Sequence, residues 1–359
     1  MKALIAMSGG VDSSVAAKLA LDAGYECVGC TMKLYDNGDI GLSRGHTCCA
    51  LDDVEDARAV ALRLGIRYYV FNFTEPFREK VIASFAEAYG HGLTPNPCID
   101  CNRYMKFEKL MERALVLGCD RVVTGHYARI EERGGRYFLK KALDETKDQS
   151  YVLYFLTQEQ LARTMFPLGS MRKAEVRALA EECGLVTAAK PDSQDICFIP
   201  DGDLGAFLER YTGSKLPPGS ILGPDGSVIG THRGTARYTI GQRRGLGTAL
   251  GKPMYVKSID PARNTVTLSD EGGLYSDTLT AADFSWISGL PLRSEIRCRA
   301  KIRYRQNEEP ATAYPQTDGS VRIVFDRPQR AVTPGQAAVL YDGDTVLGGG
   351  RIVGLTDEN

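Results

Sequence analysis

The stretch that decides the fold is MKALIAMSGGVDSS, residues 1–14, in which a short apolar run leads into a glycine pair and polar residues. The apolar run predicts a strand, and residues 13–23 have the spacing of a helix. A glycine pair at such a turn lets backbone N–H groups approach a phosphate, and the helix N-terminus adds favourable potential. The stretch therefore predicts a phosphate-binding loop in an α/β fold.

This glycine loop differs from the two common phosphate-binding motifs. No lysine completes G-x-x-x-x-G-K-[ST] anywhere in the chain, and the loop lacks the G-x-G-x-x-G pattern. The alternative is a tight turn without a ligand, because glycine permits one in any loop. The later segment TGHYARI favours nucleotide binding, because ligands bind beyond the carboxyl ends of parallel strands. Met32 and Gly125 stand at two such predicted ends.

The first 125 residues alternate apolar runs with amphipathic stretches, which predicts a parallel βαβ sheet. Asp52 is predicted to cap the second helix, and Gly24 and Gly65 are predicted to end the first two. The predicted strands are residues 2–7, 26–32, 66–73 and 121–125, and the predicted helices are residues 13–23, 53–64 and 107–117.

The remainder of the chain changes character twice. A hairpin around Gly134 and Gly135 and two helices ending near Cys183 are predicted first. From Gly219 onward, short strands alternate with turn sequences such as GPDG and TDGS, which predicts β structure. Boundaries near Asp201 and within 272–279 divide the chain into residues 1–201, 202–275 and 276–359.

Composition predicts an ordinary globular protein. The chain is 43% hydrophobic and 25% charged, and no segment has the roughly 18 apolar residues of a membrane span. We expect a cytoplasmic protein without a membrane partner, whose ten cysteines are reduced. The net charge is −1, yet residues 233–305 carry 13 Lys/Arg against 6 Asp/Glu, which indicates a polyanionic partner.

The cysteines divide by their predicted surroundings. Cys98 and Cys101, in TPNPCIDCN (residues 94–102), follow a proline turn, and their spacing suits a zinc knuckle, a redox pair or a sulfur-handling centre. Zinc needs a second ligand pair. Cys27 and Cys30 lie on a predicted strand, where residues three apart face opposite sides, so they do not supply one. Neither do the adjacent Cys48 and Cys49, and burial is predicted for Cys119, Cys183 and Cys298.

Cys197, in KPDSQDICFIP (residues 190–200), is open to two interpretations. It has polar residues on its N-terminal side, as a reactive thiol would, but it also stands between Ile196 and Phe198, as a buried thiol would. These residues alone do not decide between the two.

Several motifs together give the chain a family resemblance. In order along nearly the whole sequence, SGGVDSS, TPNPCIDCNRYMKF, TGHYAR, KDQSY, DICFI and YTIGQRRGLG resemble the tRNA-specific 2-thiouridylases (MnmA/TrmU family). The resemblance implies a PP-loop domain of the adenine nucleotide alpha hydrolase-like type, a small central β domain and a C-terminal β-barrel. The implied ATP-binding residues are Ala6, Met7, Ser8, Gly9, Gly10, Val11, Asp12, Ser13, Met32 and Gly125, with Asp12 helping to hold Mg²⁺.

The resemblance also implies a reaction. ATP adenylates the 2-oxygen of the wobble uridine in certain tRNAs, Cys197 carries a persulfide, and Cys101 attacks it to release the product. The resulting Cys101–Cys197 disulfide must then be reduced. The sulfur donor implied is a cysteine desulfurase or a sulfur relay protein.

One position departs from the family pattern. Many members have Asp, with a base-like role, where this chain has Cys98. Asp100 is then a candidate base. The alternative is that Cys98, Cys101 and Cys197 hold a [4Fe–4S] cluster.

The segment RCRAKIRYR, residues 297–305, alternates basic residues with mostly apolar ones, which predicts one basic strand face. This face is either an ordinary solvated sheet face or an RNA-binding site. Like charges on one face repel each other unless an anion is present, which favours the RNA-binding site. The predicted tRNA contacts combine residues of this segment with others that the resemblance implies. They are Asn96, Pro97, Lys147, Asp148, Gln149, Arg243, Arg244, Arg303, Tyr304 and Arg305. The segment KDQSY has a further interpretation as a polar loop that leaves the hairpin.

Two other functions remain open from the sequence. One is a PP-loop adenylating ligase or amidotransferase for a small molecule, against which the basic, β-rich C-terminal third argues. The other is an RNA-binding redox or metal protein that uses no ATP.

Overall fold

The computed structural model describes residues 1–36, 49–192, 196–247 and 252–354, and the side chains of all of these except 49–51. Cys48 and the side chain of Cys49 therefore lie outside the described part. Three sheets organise the fold: one parallel, one small and mixed, and one that closes into a barrel. Within the described ranges, no helix combines the length and hydrophobicity of a membrane span.

The first sheet has five parallel strands with β1 at its centre. Ala3 pairs with Cys27 on one side and with Arg121 on the other. Residues 3–6 are buried, as expected for a strand covered on both faces. The strands are β1 (Lys2–Ala6), β2 (Glu26–Lys33), β3 (Arg67–Asn72), β4 (Arg121–Val123) and β7 (Thr164–Met165), in the order β3-β2-β1-β4-β7. The predicted parallel α/β sheet is confirmed.

The helices α1 (Val11–Asp22) and α2 (Cys49–Arg63) connect its first three strands. Gly24 and Gly65 have φ of 82° and 68°, and their N–H groups donate to carbonyls of the preceding helix, so both predicted helix ends are confirmed. The predicted cap at Asp52 is wrong. The helix begins at Cys49, so Asp52 lies within its first turn and not before it.

A helical run between β3 and the cysteine motif is absent from the sequence prediction. It comprises α3 (Thr74–Phe77), a π-helical segment (Arg78–Ala83) and α4 (Ser84–Gly90). Apolar residues recur every fourth position at 73, 77, 81, 85 and 89, and all five are buried. That recurrence is a helical signal in the sequence.

A second helical run carries the cysteine motif. It comprises α5 (Pro97–Asp100), a π-helical segment (Cys101–Lys109) and α6 (Leu110–Val116). The sequence predicts a helix only from Phe107. Asn96 caps the run, because its side chain accepts the Cys98 N–H, and Pro97 occupies the first helical position. The proline turn that suggested a surface loop is therefore a helix start.

The predicted hairpin forms, but it joins a sheet formed by the end of the chain. β5 (Arg129–Arg133) and β6 (Arg136–Lys140) meet at Gly134 and Gly135, both with positive φ, as a two-residue turn requires. β6 also pairs with the last strand through Thr345 and Lys140. After the hairpin come α7 (Gln158–Ala162) and α8 (Lys173–Glu182), with short 3₁₀ turns at Ser150–Leu153 and Pro167–Ser170.

The last part of the chain is an antiparallel barrel. Six strands follow one another as β12-β15-β14-β13-β16-β17, and the pairing of β12 with β17 closes the ring. Closure leaves no free sheet edge among these six strands. They are β12 (Tyr275–Trp286), β13 (Ile296–Lys301), β14 (Glu309–Pro315), β15 (Val321–Arg330), β16 (Ala337–Asp342) and β17 (Thr345–Gly354).

Between sheet and barrel lies a small unit with one helix, α9 (Leu204–Thr212), and four strands. The strands are β8 (Gly219–Leu222), β9 (Val228–His232), β10 (Tyr255–Asp260) and β11 (Thr265–Ser269), in the order β10-β11-β8-β9. Their apolar side chains form a separate small core. The predicted fold class, a parallel-sheet domain with a central β unit and a C-terminal barrel, is confirmed.

An aromatic cluster fixes the segment that follows residue 195. Phe198 is 1% exposed, and its ring centroid lies 5.8 Å from that of Phe77, 5.3 Å from Phe85 and 5.3 Å from Phe207. The contacts with Phe77 and Phe85 are edge-on, an arrangement that aromatic rings prefer. The cluster ties this late segment to the helical run 74–90 and to α9.

We predict that Phe198→Ala lowers the free energy of unfolding by about 3–5 kcal/mol, because it leaves a cavity in a closed aromatic cluster. Urea unfolding followed by tryptophan fluorescence and circular dichroism measures the change. Tyr69→Ala, at a side chain that is 41% exposed, is the matched control. A loss for Phe198→Ala no larger than that of the control contradicts the prediction.

Candidate active site

The loop after β1 has the geometry of an anion site. Gly10 caps α1 without a side-chain hydrogen bond, so the first N–H groups of the helix remain available to a ligand. Ser13 Oγ accepts from the Ser8 N–H at 3.1 Å and donates to the Gly10 carbonyl at 3.0 Å, which closes the loop on itself. Ala6 and Val11 are buried, so only their backbones can face a nucleotide.

Two glycines of this loop region have no room for a side chain. A Cβ on Gly9 would lie 2.2 Å from the Asp53 carbonyl oxygen, and Gly9 has φ of +73°. A Cβ on Gly125 would lie 2.7 Å from the Ser13 N atom. Gly125 follows β4, and Met32 lies near the C-terminal end of β2. Because these strands are parallel to β1, both residues lie at the same edge of the sheet as the loop after β1. The close backbone approach gives Gly125 a steric reason to be glycine.

Asp12 lies in a network of charges that the sequence analysis missed. Lys173 Nζ donates to both Asp12 carboxylate oxygens, at 2.7 and 2.8 Å, and Tyr127 donates its hydroxyl to the same carboxylate at 2.8 Å. Lys173 also pairs with Asp192 at 2.8 Å. Burial opposes ionisation of Asp192, but hydrogen bonds from Lys147 and Lys173 lower its pKa to about 2. The sequence motif indicates a role only for Asp12. Lys173 lies on α8, far away in the chain, so no local pattern connects it to the phosphate loop.

The thiol site consists of Cys98, Cys101 and Cys197. Cys98 and Cys197 are exposed and Cys101 is half-buried. The surrounding protein raises the pKa of all three thiols, that of Cys101 to about 11, and negative charge on Cys101 or Cys98 further raises the pKa of Cys197. Cys101 and the two neighbours of Cys197, Ile196 and Phe198, pack in the same hydrophobic core. The structure therefore brings Cys197 into the region of the C-x-x-C pair.

The exposed position of Cys197 decides between the two interpretations of that residue. Phe198 is the buried member of the segment, and the Tyr35 hydroxyl donates to the Cys197 carbonyl at 2.9 Å. The backbone is thus held on both sides while the thiol stays accessible. Cys197 is not the buried packing residue of the first interpretation.

The other cysteines mostly behave as predicted. Cys27, Cys30, Cys119 and Cys298 are buried, which confirms their structural role and removes them as ligands. Cys183 is half-buried, so the prediction of burial is wrong for this residue. It follows α8 at the point where Arg63 Nε donates to its carbonyl, near the surface.

Asp100 is 8% exposed and lines a cleft between α5 and the barrel. Burial raises its pKa, which the nearby Arg351 and Arg103 partly offset. Arg103, Arg351 and Asp283 also line this cleft. A carboxyl with a raised pKa suits the predicted role of base.

Residues 125–127 connect the thiol site to the phosphate loop. Gly125 contacts Ser13, and the Tyr127 hydroxyl donates to Asp12. His126 Nε2 lies 3.4 Å from the Nζ of Lys106, whose charge acts on Cys98, Cys101 and Cys197. One short segment therefore contacts both halves of the candidate active site.

Several predicted tRNA contacts have partners within the protein. Lys147 pairs with Asp192, Asp148 accepts from the Ala142 N–H, and Gln149 accepts from the Tyr127 N–H. The ring centroid of Tyr151, in the same segment, lies 6.0 Å from that of Tyr304, which is exposed. The segment KDQSY thus packs against the barrel turn at Tyr304.

The basic strand face is shorter than predicted. β13 ends at Lys301, so Arg303, Tyr304 and Arg305 lie in a turn and the strict alternation stops. Two of these charges also have acidic partners within the protein, because Arg297 forms an ion pair with Asp326 and Arg299 with Glu308. The expectation that five like charges require an external anion is therefore wrong.

Arg303 and Arg305 differ in their surroundings. The Arg303 guanidinium donates to the carbonyls of Ile240 and Ala331 and to the hydroxyl of Thr333, and burial lowers its pKa. Arg305 is exposed, as are Arg243 and Arg244. Arg303 thus binds two loops of the protein together, while the other three point outward.

A metal cluster does not fit the thiol site as it stands. Among the described residues, no group of three or more His, Cys, Asp or Glu side chains is arranged to hold a metal ion. The three cysteines are neighbours, but they do not form a ligand set for the [4Fe–4S] alternative. Asp12 does offer Mg²⁺ the hard carboxylate oxygen that it prefers, next to the phosphate loop.

We predict that Gly125→Ala weakens ATP binding about tenfold or more, because the new methyl group would displace the first turn of α1. Calorimetry with a non-hydrolysable ATP analogue measures the affinity. Gly90→Ala is the control, since a Cβ there meets nothing within 4 Å. Equal affinities of Gly125→Ala and the unmodified protein would mean that this contact does not shape the loop.

Three domain models match the chain in succession. Residues 1–201 match the tRNA methyl transferase HUP domain, residues 205–270 the tRNA methyl transferase PRC-barrel domain, and residues 276–352 the aminomethyltransferase beta-barrel domain. Among solved structures, a 4-thiouridine synthetase in complex with RNA and ATP is 20% identical, with 59% of this chain and 53% of that chain covered. Its TM-score of 0.35 is too low to support an argument about function.

Full-length relatives are far more similar. The tRNA-specific 2-thiouridylase MnmA of Acetivibrio thermocellus is 52% identical over 355 residues, which covers 98% of this chain and 99% of the relative. The protein of the same name from Symbiobacterium thermophilum is 52% identical, with 98% and 92% covered. The Clostridioides difficile protein of that name is 48% identical over 98% of both chains. On this similarity across its whole length, the chain belongs to the MnmA family of tRNA-specific 2-thiouridylases.

Proposed function

We propose that this protein is an ATP-dependent tRNA sulfurtransferase that converts the wobble uridine of its tRNA substrates to 2-thiouridine. The observation that carries this function is that Cys101 and the segment of Cys197, which are far apart in sequence, pack in the same hydrophobic core. Residues 125–127 contact the phosphate loop and, through Lys106, the helix that carries Cys101. An RNA-binding redox protein has no use for the loop, and a small-molecule ligase has no use for the thiols.

The first step is activation of the uridine by ATP. The N–H groups at the start of α1 bind phosphate oxygens, and residues 8–13 wrap the triphosphate. The uridine 2-oxygen attacks the α-phosphorus, and pyrophosphate leaves. The carbonyl oxygen, which is a poor leaving group, then departs as AMP in the next step.

The charge network prepares this loop for a triphosphate. Lys173 neutralises Asp12 in the described structure, and Asp192 holds Lys173 from the other side. When Mg²⁺ is bound, it neutralises phosphate charge, and Asp12 is the residue that would hold it. Lys173 is then free to turn toward the phosphates, with Asp192 as its remaining partner.

The second step is transfer of sulfur. The terminal sulfur of a Cys197 persulfide attacks carbon 2 of the uridine, and AMP leaves. The Cys101 thiolate then attacks Sγ of Cys197, which breaks the sulfur–sulfur bond and releases 2-thiouridine. A Cys101–Cys197 disulfide remains and needs an external thiol reductant. The accessible Cys197 and half-buried Cys101 suit these two roles.

The sulfur must come from a partner. Cys197 is exposed, so the persulfide of a cysteine desulfurase or of a sulfur relay protein can reach it. Cys98 and Asp100 stand where a base is expected, and the raised pKa of Asp100 makes it the better candidate. Asn96 and Pro97 begin α5 in front of both, at the edge that a target nucleotide would approach.

The tRNA is proposed to lie across the barrel turn and the central unit. The Tyr304 ring lies beside that of Tyr151, with 6.0 Å between the centroids, and Arg305 follows it at the surface. Arg243 and Arg244 add exposed charge from the central unit. In this arrangement residues 1–201 perform the chemistry, while residues 202–275 and 276–359 bind and position the tRNA.

We predict that Cys197→Ala abolishes 2-thiouridine formation while pyrophosphate release continues, because the variant keeps the activation step and loses the sulfur carrier. Nucleoside mass spectrometry of unmodified tRNA, incubated anaerobically with Mg-ATP and with a cysteine desulfurase plus cysteine as the persulfide donor, measures the product. Cys101→Ala should leave the tRNA attached to Cys197 through a disulfide, and Cys183→Ala is the control. Thiolation by Cys197→Ala, together with iron in anaerobically purified protein, would instead support the cluster alternative.

For the tRNA surface, we predict that Arg305→Glu or Arg244→Glu weakens tRNA binding by about threefold to tenfold near 0.1 M salt and reduces its salt dependence. Filter binding over a salt series provides the measurement. Arg303→Glu should instead destabilise the fold, since its guanidinium bonds two loops. Arg263→Glu, at an exposed turn arginine beside Asp260, is the charge-matched control, and an equal effect there would remove the basis for this surface.

A further inference from the structure

Lys106 is a half-buried ammonium group beside the thiol site. Its recorded polar partner is His126, whose Nε2 lies 3.4 Å from Lys106 Nζ. Among the described carboxylates, none forms an ion pair with it, although Lys109 of the same segment pairs with Glu112 at 3.0 Å. A lysine ammonium without an acid partner is free to interact with an anion that forms beside it.

The π-helical segment Cys101–Lys109 determines where Lys106 stands. A π-turn closes between residues five apart, so Lys106 is one turn beyond Cys101. In an α-helix, position 105 would take this place, and Met105 is fully buried. Met105 and Phe107 anchor the segment in the core on both sides of Lys106. The unusual helix thus brings a lysine to a position where regular helical spacing would bring methionine.

The environment of His126 orients the lysine. Burial, and then the charge of Lys106, lower the pKa of His126, so its imidazole is neutral. A lysine ammonium can only donate, so Nε2 of His126 accepts from it and Nδ1 donates to Thr124 Oγ1, 2.7 Å away. The rings of Phe107 and Phe166 hold the imidazole in place.

Lys106 is the cation common to all three thiols. Desolvation by the surrounding protein is the main cause that raises the pKa of Cys98, Cys101 and Cys197, and among the described residues Lys106 is the cation that lowers each of these three pKa values. The other titratable groups that act on the site or adjoin Lys106 are Asp100 on α5, His126 after β4 and Tyr304 in the barrel turn.

We propose that Lys106 supplies the positive charge that stabilises anionic sulfur at Cys101 and Cys197 during sulfur transfer. This role rests on the proposed function of these two cysteines. Thiolate at Cys101 is required to attack the persulfide, and the transfer passes negative charge from one sulfur to the next. An ammonium held by a neutral histidine stabilises each of these anions without forming a permanent ion pair.

The test is the pH dependence of thiol alkylation, read separately for each cysteine. Reduced protein without ATP or tRNA is treated with iodoacetamide between about pH 6.5 and pH 10, and mass spectrometry quantifies the peptides of Cys101 and Cys197. Lys106→Met and Lys106→Gln remove the charge, Lys106→Arg retains it, and Lys109→Met is the matched control. Because no substrate is present, the result does not depend on whether thiolation itself is observed.

We expect Lys106→Met and Lys106→Gln to slow the alkylation of Cys101 by about threefold to tenfold across this pH range, because loss of the positive charge lowers the fraction of thiolate. Cys197 should change in the same direction, Lys106→Arg should restore most of the rate, and Lys109→Met should have no effect. Unchanged profiles in both neutral variants would overturn the proposal. An equal loss in Lys106→Arg would also overturn it, since shape and not charge would then be responsible.

Discussion

Burial of Phe198 among Phe77, Phe85 and Phe207 is the contact on which the candidate active site depends. The C-x-x-C helix and Cys197 belong to distant parts of the chain, and among the described residues no strand pairing joins them. Edge-on packing of aromatic rings buries a large apolar area and favours a defined angle between the rings. It can therefore fix the orientation of a short irregular segment. The neighbouring thiol therefore faces outward because the phenylalanine faces inward.

The second constraint is the close approach of backbone at the carboxyl edge of the parallel sheet. β1 and β4 are adjacent strands, so the loops that follow them meet at one edge. Gly125 permits that meeting without a side chain between the loops. His126 and Tyr127 then extend to opposite partners, one toward Lys106 and the thiols and one toward Asp12. Nucleotide activation and sulfur transfer thus share a rigid segment instead of depending on separate loops.

Charge is used differently in the two halves of the molecule. Around the phosphate loop, lysines and aspartates neutralise one another until a triphosphate arrives, as the Lys173 bridge between Asp12 and Asp192 illustrates. On the barrel, Arg297 and Arg299 are neutralised by Asp326 and Glu308. A count of arginines on a strand therefore overstates the charge that an RNA would meet. Exposure without an acid neighbour is the better criterion, and only the structure supplies it.

The sequence by itself determined the parallel sheet, the glycine loop and the hairpin at Gly134 and Gly135, because these depend on local spacing and on residue types with special backbone freedom. The class of chemistry followed from the family resemblance of several motifs taken together. It did not determine the helical run 74–90 or the start of α5 at Pro97, although the period-four apolar positions were a usable signal. Only the tertiary structure decided that Cys197 is exposed, that Arg303 is a structural bond between loops, and that Lys173 and Lys106 face the two reactive centres. These facts depend on contacts between residues far apart in the chain, and on a π-helical register that amino-acid spacing does not reveal.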